Sequence, residues 1–174
     1  MPKIIPLSRI SKALKRIKLV TFDVDGVLTD DKLIYGSDGT EYKRFCAKDG
    51  VAIKMLQANG IEVAIISGRE SAIVRKRAKE LGINLVYEKV ENKLHALNDL
   101  LSHTKKESQE LIHVGNDLPD IILFEKVGVS IAVKDAHPAV VKRADLVTST
   151  AGGEGVAAEV CMWLLRTQNK WSFG

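Results

Sequence analysis

Apolar positions along the chain follow two periods in turn. Ile17 to Phe22 carries Ile, Leu, Val and Phe with Lys18 and Thr21 between them, which predicts a strand covered on both faces. Upstream, Ser8 to Lys18 sets Ile10, Leu14 and Ile17 at helical spacing among Arg9, Lys12, Lys15, Arg16 and Lys18. Residues 1–16 therefore read as a lead-in segment whose helix packs on the domain and leaves its charges in water. Lys32 to Phe45 places short apolar or aromatic runs on either side of Gly36-Ser37-Asp38-Gly39, the pattern of a β-hairpin. From there the chain alternates. A helix capped by Asp49 runs through Asn59 to a stop at Gly60, a buried strand spans Ile61 to Ile66, and a helix from Ser71 to Leu81 ends before Gly82. Strand Ile83–Tyr87, helix Asn92–His103, strand Leu111–Val114, helix Pro119–Glu125 and strand Val129–Val133 follow. A short helix from Pro138, a strand at Leu146-Val147 and a helix from about Glu154 to Gln168 complete the series, the last inside a C-terminal segment 151–174. Such alternation predicts an α/β doubly wound parallel sheet with right-handed crossovers.

Composition narrows the partners. With 174 residues, 45% of them hydrophobic, the chain suits a single domain, 1–174, with a substantial core. A net charge of +4 and pI near 9.0 favour an anionic small molecule, and 5% aromatic content offers few stacking surfaces, so no nucleic acid is expected. Cys46 and Cys161 stand alone, which speaks for a reducing compartment and against a zinc site. No apolar run reaches membrane-spanning length and the N-terminus lacks a signal-peptide core; the expectation is a cytoplasmic protein without a membrane partner.

In doubly wound folds ligands bind outside the carboxyl ends of the strands, so residues just after each strand carry the chemistry. They are Asp23 and Asp25, Ser67, the Lys89 to Lys93 stretch, and Gly115-Asn116-Asp117. Asp23 and Asp25 lie at i and i+2 and repel each other unless a cation intervenes, which asks for a hard metal such as Mg²⁺. One acid can attack phosphorus while the other protonates the leaving oxygen and later activates water. Ser67 can donate to a phosphoryl oxygen or cap a turn. Lys93 falls in a helix first turn, where the dipole disfavours a cation unless an anion shares the place; it is a candidate phosphoryl clamp or an exposed lysine. Asn116, Asp117 and Asp120 offer oxygens at a strand-to-helix transition, for a metal or for helix capping.

The motifs DVDGVLTD, IISGR, ENK and GNDLPD resemble the four signatures of the haloacid dehalogenase superfamily. FCAKDGVAIKMLQANGIEVAIISGRES, VGVSIAVKDAHP and AGGEG further resemble the 3-deoxy-D-manno-octulosonate 8-phosphate phosphatases, from Ile17 onward. The resemblance implies a Rossmann-like core with a small hairpin insertion and no large cap, and the stretch from Asp25 to Ser67 leaves room only for the hairpin and one helix. It implies a Mg²⁺-dependent phosphatase working through an aspartyl-phosphate, in a homotetramer whose neighbouring subunits close an open site. Asp23 becomes nucleophile and metal ligand, and Asp25 the acid/base with its backbone carbonyl on the metal. Ser67 and Lys93 would hold the phosphoryl group, while Cys46, Ala47, Lys48, Asp49, Gly50, Lys54, Arg69 and Arg77 would meet the sugar acid. Gly152-Gly153 would be the hinge of a tail that reaches a partner subunit.

Two departures from the family pattern stand out. Asn116 stands where the family usually has an aspartate on the metal, so either its amide oxygen or Asp117 completes the site. Glu154 and Ala158 stand where octulosonate phosphatases commonly show arginines, which opens a nonulosonate 9-phosphate as an alternative substrate; Arg69 after Ser-Gly speaks for the octulosonate branch. A non-catalytic oligomerisation domain of the same fold is the reading of a different class.

Overall fold

The computed structural model describes residues 7–173, so the first six residues of the lead-in segment and Gly174 lie outside the described ones. Helix α1 (Leu7–Leu14) leads into β1 (Leu19–Phe22), and a two-stranded antiparallel hairpin, β2 (Ile34–Tyr35) and β3 (Glu41–Tyr42), follows the turn after β1. Then come α2 (Ala47–Ala58), β4 (Glu62–Ile66), α3 (Ala72–Leu81), β5 (Leu85–Tyr87), α4 (Lys93–Thr104) and β6 (Leu111–Gly115). The chain continues through α5 (Ile121–Phe124), β7 (Val129–Ala132), α6 (Pro138–Val141), β8 (Leu146–Val147) and α7 (Val156–Thr167). The main sheet has six strands in the order β5-β4-β1-β6-β7-β8, and every neighbouring pair is parallel. The doubly wound α/β expectation holds. Among the described residues only the hairpin and α2 separate β1 from β4, so there is no large cap.

Period-two alternation along the strands builds both faces of the core. Val20, Phe22, Val63, Ile65, Ile112 and Val114 pack with α1, α2, α3 and α7 on one side. Leu19, Ala64, Ile66 and Leu111 pack with α4 and α5 on the other, through Leu97, Leu100 and Leu123. In the lead-in segment Ile10, Leu14 and Ile17 are buried while Lys12, Lys15, Arg16 and Lys18 are exposed, as the helical stripe predicts. β1 starts two residues late because Ile17 still belongs to the exit of α1: its N–H donates to Leu14 O at 3.3 Å and its carbonyl accepts from Gln168 Nε2 at 2.9 Å.

Asp49 does not cap α2. That helix starts at Ala47 with Cys46 before it, and the Asp49 side chain, 3% exposed, turns away to accept from the Ala158 N–H of α7 at 3.1 Å. Its Oδ2 is buried and has no hydrogen-bond partner among the described residues. Burial pushes the carboxyl up to about 6, against the opposing pull of the α7 backbone N–H groups and Arg77. A folded-state value above the unfolded one means that the fold, not the open chain, holds the extra proton between them. This group's contribution is therefore most favourable below about pH 4 and declines as pH rises towards 6. Asp49→Asn keeps the acceptor and removes the charge. Urea unfolding at pH 8 is expected to show a gain of about 2 to 3 kcal/mol, shrinking to little at pH 4; equal gains at both pH values would contradict the assignment.

Candidate active site

The carboxyl end of β1 is continued by an Asp23 N–H that donates to Val114 O of β6 at 3.0 Å, so the first acid is pinned to the sheet. Its Oδ1 accepts from the Val24 N–H at 2.7 Å. One wide turn then spans Val24 to Leu28, closed by the Thr29 N–H on Val24 O at 3.0 Å. Gly26 makes that turn at φ +81°, and a Cβ there would lie 2.0 Å from the Asn116 Nδ2. Glycine is thus required both for the left-handed backbone and for the approach of the fourth motif to the first.

Behind Asp23 lies a buried chain of polar groups. The Lys93 ammonium is 2.6 Å from both Asp23 Oδ2 and Asp120 Oδ1. His113 Nε2 lies 2.9 Å from the same Asp120 oxygen, and its Nδ1 is 2.8 Å from Thr21 Oγ1. Asp120 Oδ2 accepts from the backbone N–H groups of Asn116 at 2.9 Å and Asp117 at 3.1 Å. Burial would raise the Asp120 carboxyl, but hydrogen bond and charge from His113, then Lys93, hold it well below the usual range. Burial raises Asp23, and its neighbour Asp120 adds to that, while Lys93 opposes. Burial alone would strip the proton from Lys93; the two carboxylates reverse that and raise it, so it stays an ammonium. Lys93 is only 5% exposed, which excludes the solvent-facing alternative.

Asp23, Asp25, Ser67, Arg69, Lys93, Asn116 and Asp117 line one cleft of about 220 Å³ at the strand ends, together with Asp31 and Glu91. Ser67 is 2% exposed, and its Oγ accepts from the Arg69 N–H at 3.3 Å. Its own proton remains available to an anion. The hydroxyl therefore serves the turn and the cleft together. Asp25 faces cations from the hairpin side: Lys43 pairs with its Oδ1, and Arg69 Nε stands 3.6 Å from its Oδ2.

The two alternatives for the third metal contact sit in different surroundings. Asp117 Oδ1 caps the turn that follows by accepting from the Leu118 N–H at 2.8 Å, and the residue is exposed. Asn116 is 9% exposed with an Oδ1 that is buried and has no partner among the described residues. An orphaned amide oxygen beside a carboxylate fits a hard cation. Among the described residues no three His, Cys, Asp or Glu side chains gather into a coordinating group.

Other expected contacts do not reach the cleft within one chain. Cys46, Asp49, Gly50 and Arg77 surround a small void between α2, α3 and the back of the Val24–Leu28 turn, with Phe45, Ile53 and Leu81. Ala47, Lys48 and Lys54 are exposed on α2. The first turn of α2 packs against α7, through the Asp49 bond to Ala158, and this set is not among the residues that line the cleft. Nor is Gly152-Gly153 the hinge of an outgoing tail. A Cβ on Gly152 would lie 2.1 Å from Gly26 O, and the Gly153 N–H donates to Val27 O at 2.9 Å. The glycines let the chain press on the nucleophile turn, after which α7 buries Val156, Val160, Cys161, Leu164 and Leu165 in this chain's own core.

His113 and Lys43 lie outside the four motifs. Both left a signal: Thr21 and His113 are polar breaks in apolar runs and pair across β1 and β6, and Glu41 and Lys43 share a face at i and i+2.

Comparison with known proteins gives the same picture. Residues 83–160 match the model of the haloacid dehalogenase-like hydrolases. The chain is 45% identical over 161 residues to the 3-deoxy-D-manno-octulosonate 8-phosphate phosphatase of Escherichia coli (strain K12), covering 92% of this chain and 85% of the relative. The Moraxella catarrhalis phosphatase of that name, solved in complex with magnesium ion, phosphate ion and the KDO molecule, superposes with a TM-score of 0.92 at 39% identity over 94% of both chains. The cobalt-bound enzyme of Haemophilus influenzae gives 0.88 at 40% identity, over 91% of this chain and 92% of that one. With the four motifs gathered on one cleft and this extent of similarity, the chain belongs to the 3-deoxy-D-manno-octulosonate 8-phosphate phosphatase family of the haloacid dehalogenase-like hydrolases and is a phosphomonoester hydrolase.

Proposed function

We propose that the chain hydrolyses 3-deoxy-D-manno-octulosonate 8-phosphate to the free sugar acid and inorganic phosphate, with Mg²⁺, through an aspartyl-phosphate on Asp23. The observation that carries this is the placement of Asp23 at the cleft, its carboxylate shared with the buried Lys93 and next to the Ser67 hydroxyl. An Asp23 oxygen attacks phosphorus as the bond to the sugar oxygen breaks, and Asp25 gives that oxygen its proton. Asp25 then takes a proton from a water that attacks the phosphoryl group, which frees phosphate and restores Asp23. Lys93 and the Ser67 hydroxyl hold the phosphoryl oxygens, and Arg69 offers the substrate carboxylate a guanidinium. Asp23, Asn116 Oδ1 and the Asp25 backbone carbonyl would hold Mg²⁺, which supplies neutralisation of the charge between the attacking carboxylate and the phosphate.

Phosphate release from eight- and nine-carbon sugar-acid phosphates, with Mg²⁺ and after chelation, tests the reading. Turnover is expected for the eight-carbon substrate and is lost with EDTA. Preference for the nine-carbon substrate would move the chain to the nonulosonate alternative; no turnover of either would leave the non-catalytic domain. Cytoplasmic location and a homotetramer complete the proposal. The exposed Leu33, Ile34, Tyr35 and Tyr42 of the hairpin are the apolar face such an assembly covers. A monomer in sedimentation velocity at micromolar concentration would exclude the tetramer.

A further inference from the structure

We infer that Lys43 is a positioning residue for Asp25, tying the acid/base to the hairpin; this rests on the reading of Asp25 given above. Lys43 follows β3 directly, and its side chain is 1% exposed. A buried ammonium is costly unless paired. Two carboxylates pair it here: Asp25 Oδ1 in direct contact and Glu41 Oε1 at 3.5 Å. Glu41 is itself fixed, accepting from the Ser71 hydroxyl at 2.9 Å and from Arg69 at 3.2 Å. The hairpin cation therefore cannot drift, because its counter-charge is anchored to the start of α3.

The other cation near Asp25 is held differently. Arg69 is 43% exposed and its Nε, at 3.6 Å from Asp25 Oδ2, is too far for a hydrogen bond. Its terminal nitrogen is taken by the Tyr35 hydroxyl at 2.8 Å and by Glu41. Arg69 can swing to a substrate carboxylate without releasing Asp25, provided another donor keeps the acid in place. Lys43 is that donor. By occupying Oδ1 it leaves Oδ2, on the Arg69 side, as the oxygen that exchanges the proton with the leaving oxygen and then with water. The division separates two jobs that adjacent cations would otherwise share: Arg69 recognises, and Lys43 orients.

An orienting group that never touches substrate changes kcat and spares KM. Lys43→Met removes the donor, and Lys43→Gln keeps a neutral one. With 3-deoxy-D-manno-octulosonate 8-phosphate, kcat is expected to fall at least about tenfold in the methionine variant and by less in the glutamine variant, because misplacing a catalytic group by ~1 Å can cost about a hundredfold. KM is expected to stay within about twofold, while the melting midpoint falls in the methionine variant, which leaves Asp25 and Glu41 with Arg69 as their remaining cation, and falls by less in the glutamine variant. Should the methionine variant fail to fold, the glutamine variant decides alone: reduced kcat at unchanged KM supports the assignment. Wild-type kcat in either variant, or a rise in KM with kcat intact, overturns it while leaving the phosphatase reading in place. Wild-type protein that releases no phosphate sinks both.

Discussion

Asp23→Asn is expected to abolish phosphate release from the sugar-acid phosphate, by at least about 10⁴-fold, with the fold intact. An amide oxygen cannot form the acyl phosphate, and loss of a nucleophile in comparable covalent sites costs about 10⁶-fold. The structure indicates why folding should survive. Asp23 Oδ1 serves only the neighbouring Val24 N–H, a bond that an asparagine oxygen reproduces. On the other side the Lys93 ammonium keeps Asp120 at 2.6 Å as its counter-charge. Since burial raises the Asp23 carboxyl, exchanging it for a neutral amide removes a desolvation cost that offsets the lost pairing with Lys93, and the melting midpoint should hold within a few degrees. The two readouts diverge, which makes the result diagnostic. Full turnover would refute the covalent route. Lost turnover together with a collapsed melting transition would mean that Asp23 is a structural charge.

Local pattern carried the elements, and with them the strand ends on which the site is built. Period two and period 3.6 rarely conflict in this chain, so each strand and helix fell within a few residues of its place. Boundaries shifted where a cap or turn outranked apolarity, as at β5, which begins at Leu85 and not at Ile83 because the Ile83 N–H closes the helix before it on Ala78 O at 2.9 Å. Long-range pairings were beyond reach. Asp49 looks like a cap in the sequence because capping is local, yet its partner Ala158 lies more than a hundred positions on. Gly152-Gly153 looks like a hinge because glycine is flexible, but close approach of two backbones demands glycine just as strongly, and only the fold says which applies. The helix dipole says only that Lys93 needs an anion beside it; that Asp23 and Asp120 supply it, with His113 on the far side of Asp120, is a long-range pairing of the same kind.

Lys93→Met is expected to cost both activity and stability, and the pH dependence distinguishes their causes. The ammonium is the shared counter-charge of Asp23 and Asp120, and breaking a buried pair by removing one partner leaves uncompensated charge worth about 3 kcal/mol or more. Asp120 keeps His113 and two backbone N–H groups. Among the described residues Asp23 keeps the Val24 N–H alone, so it bears most of the loss. Its carboxyl, already raised by burial and by Asp120, rises further once Lys93 no longer opposes them. A raised acid binds its proton more tightly in the folded chain than in the open one. The variant's deficit should therefore be larger at the higher of two pH values and smaller at the lower, as protonation of Asp23 relieves the repulsion. Activity should not recover in parallel, because a protonated Asp23 is no nucleophile and the phosphoryl oxygens have lost their buried cation. Denaturant unfolding at the two pH values, with phosphate release measured alongside, is the test. A deficit independent of pH would show that Lys93 contributes through packing, and activity that returns with stability would remove it from the phosphoryl clamp.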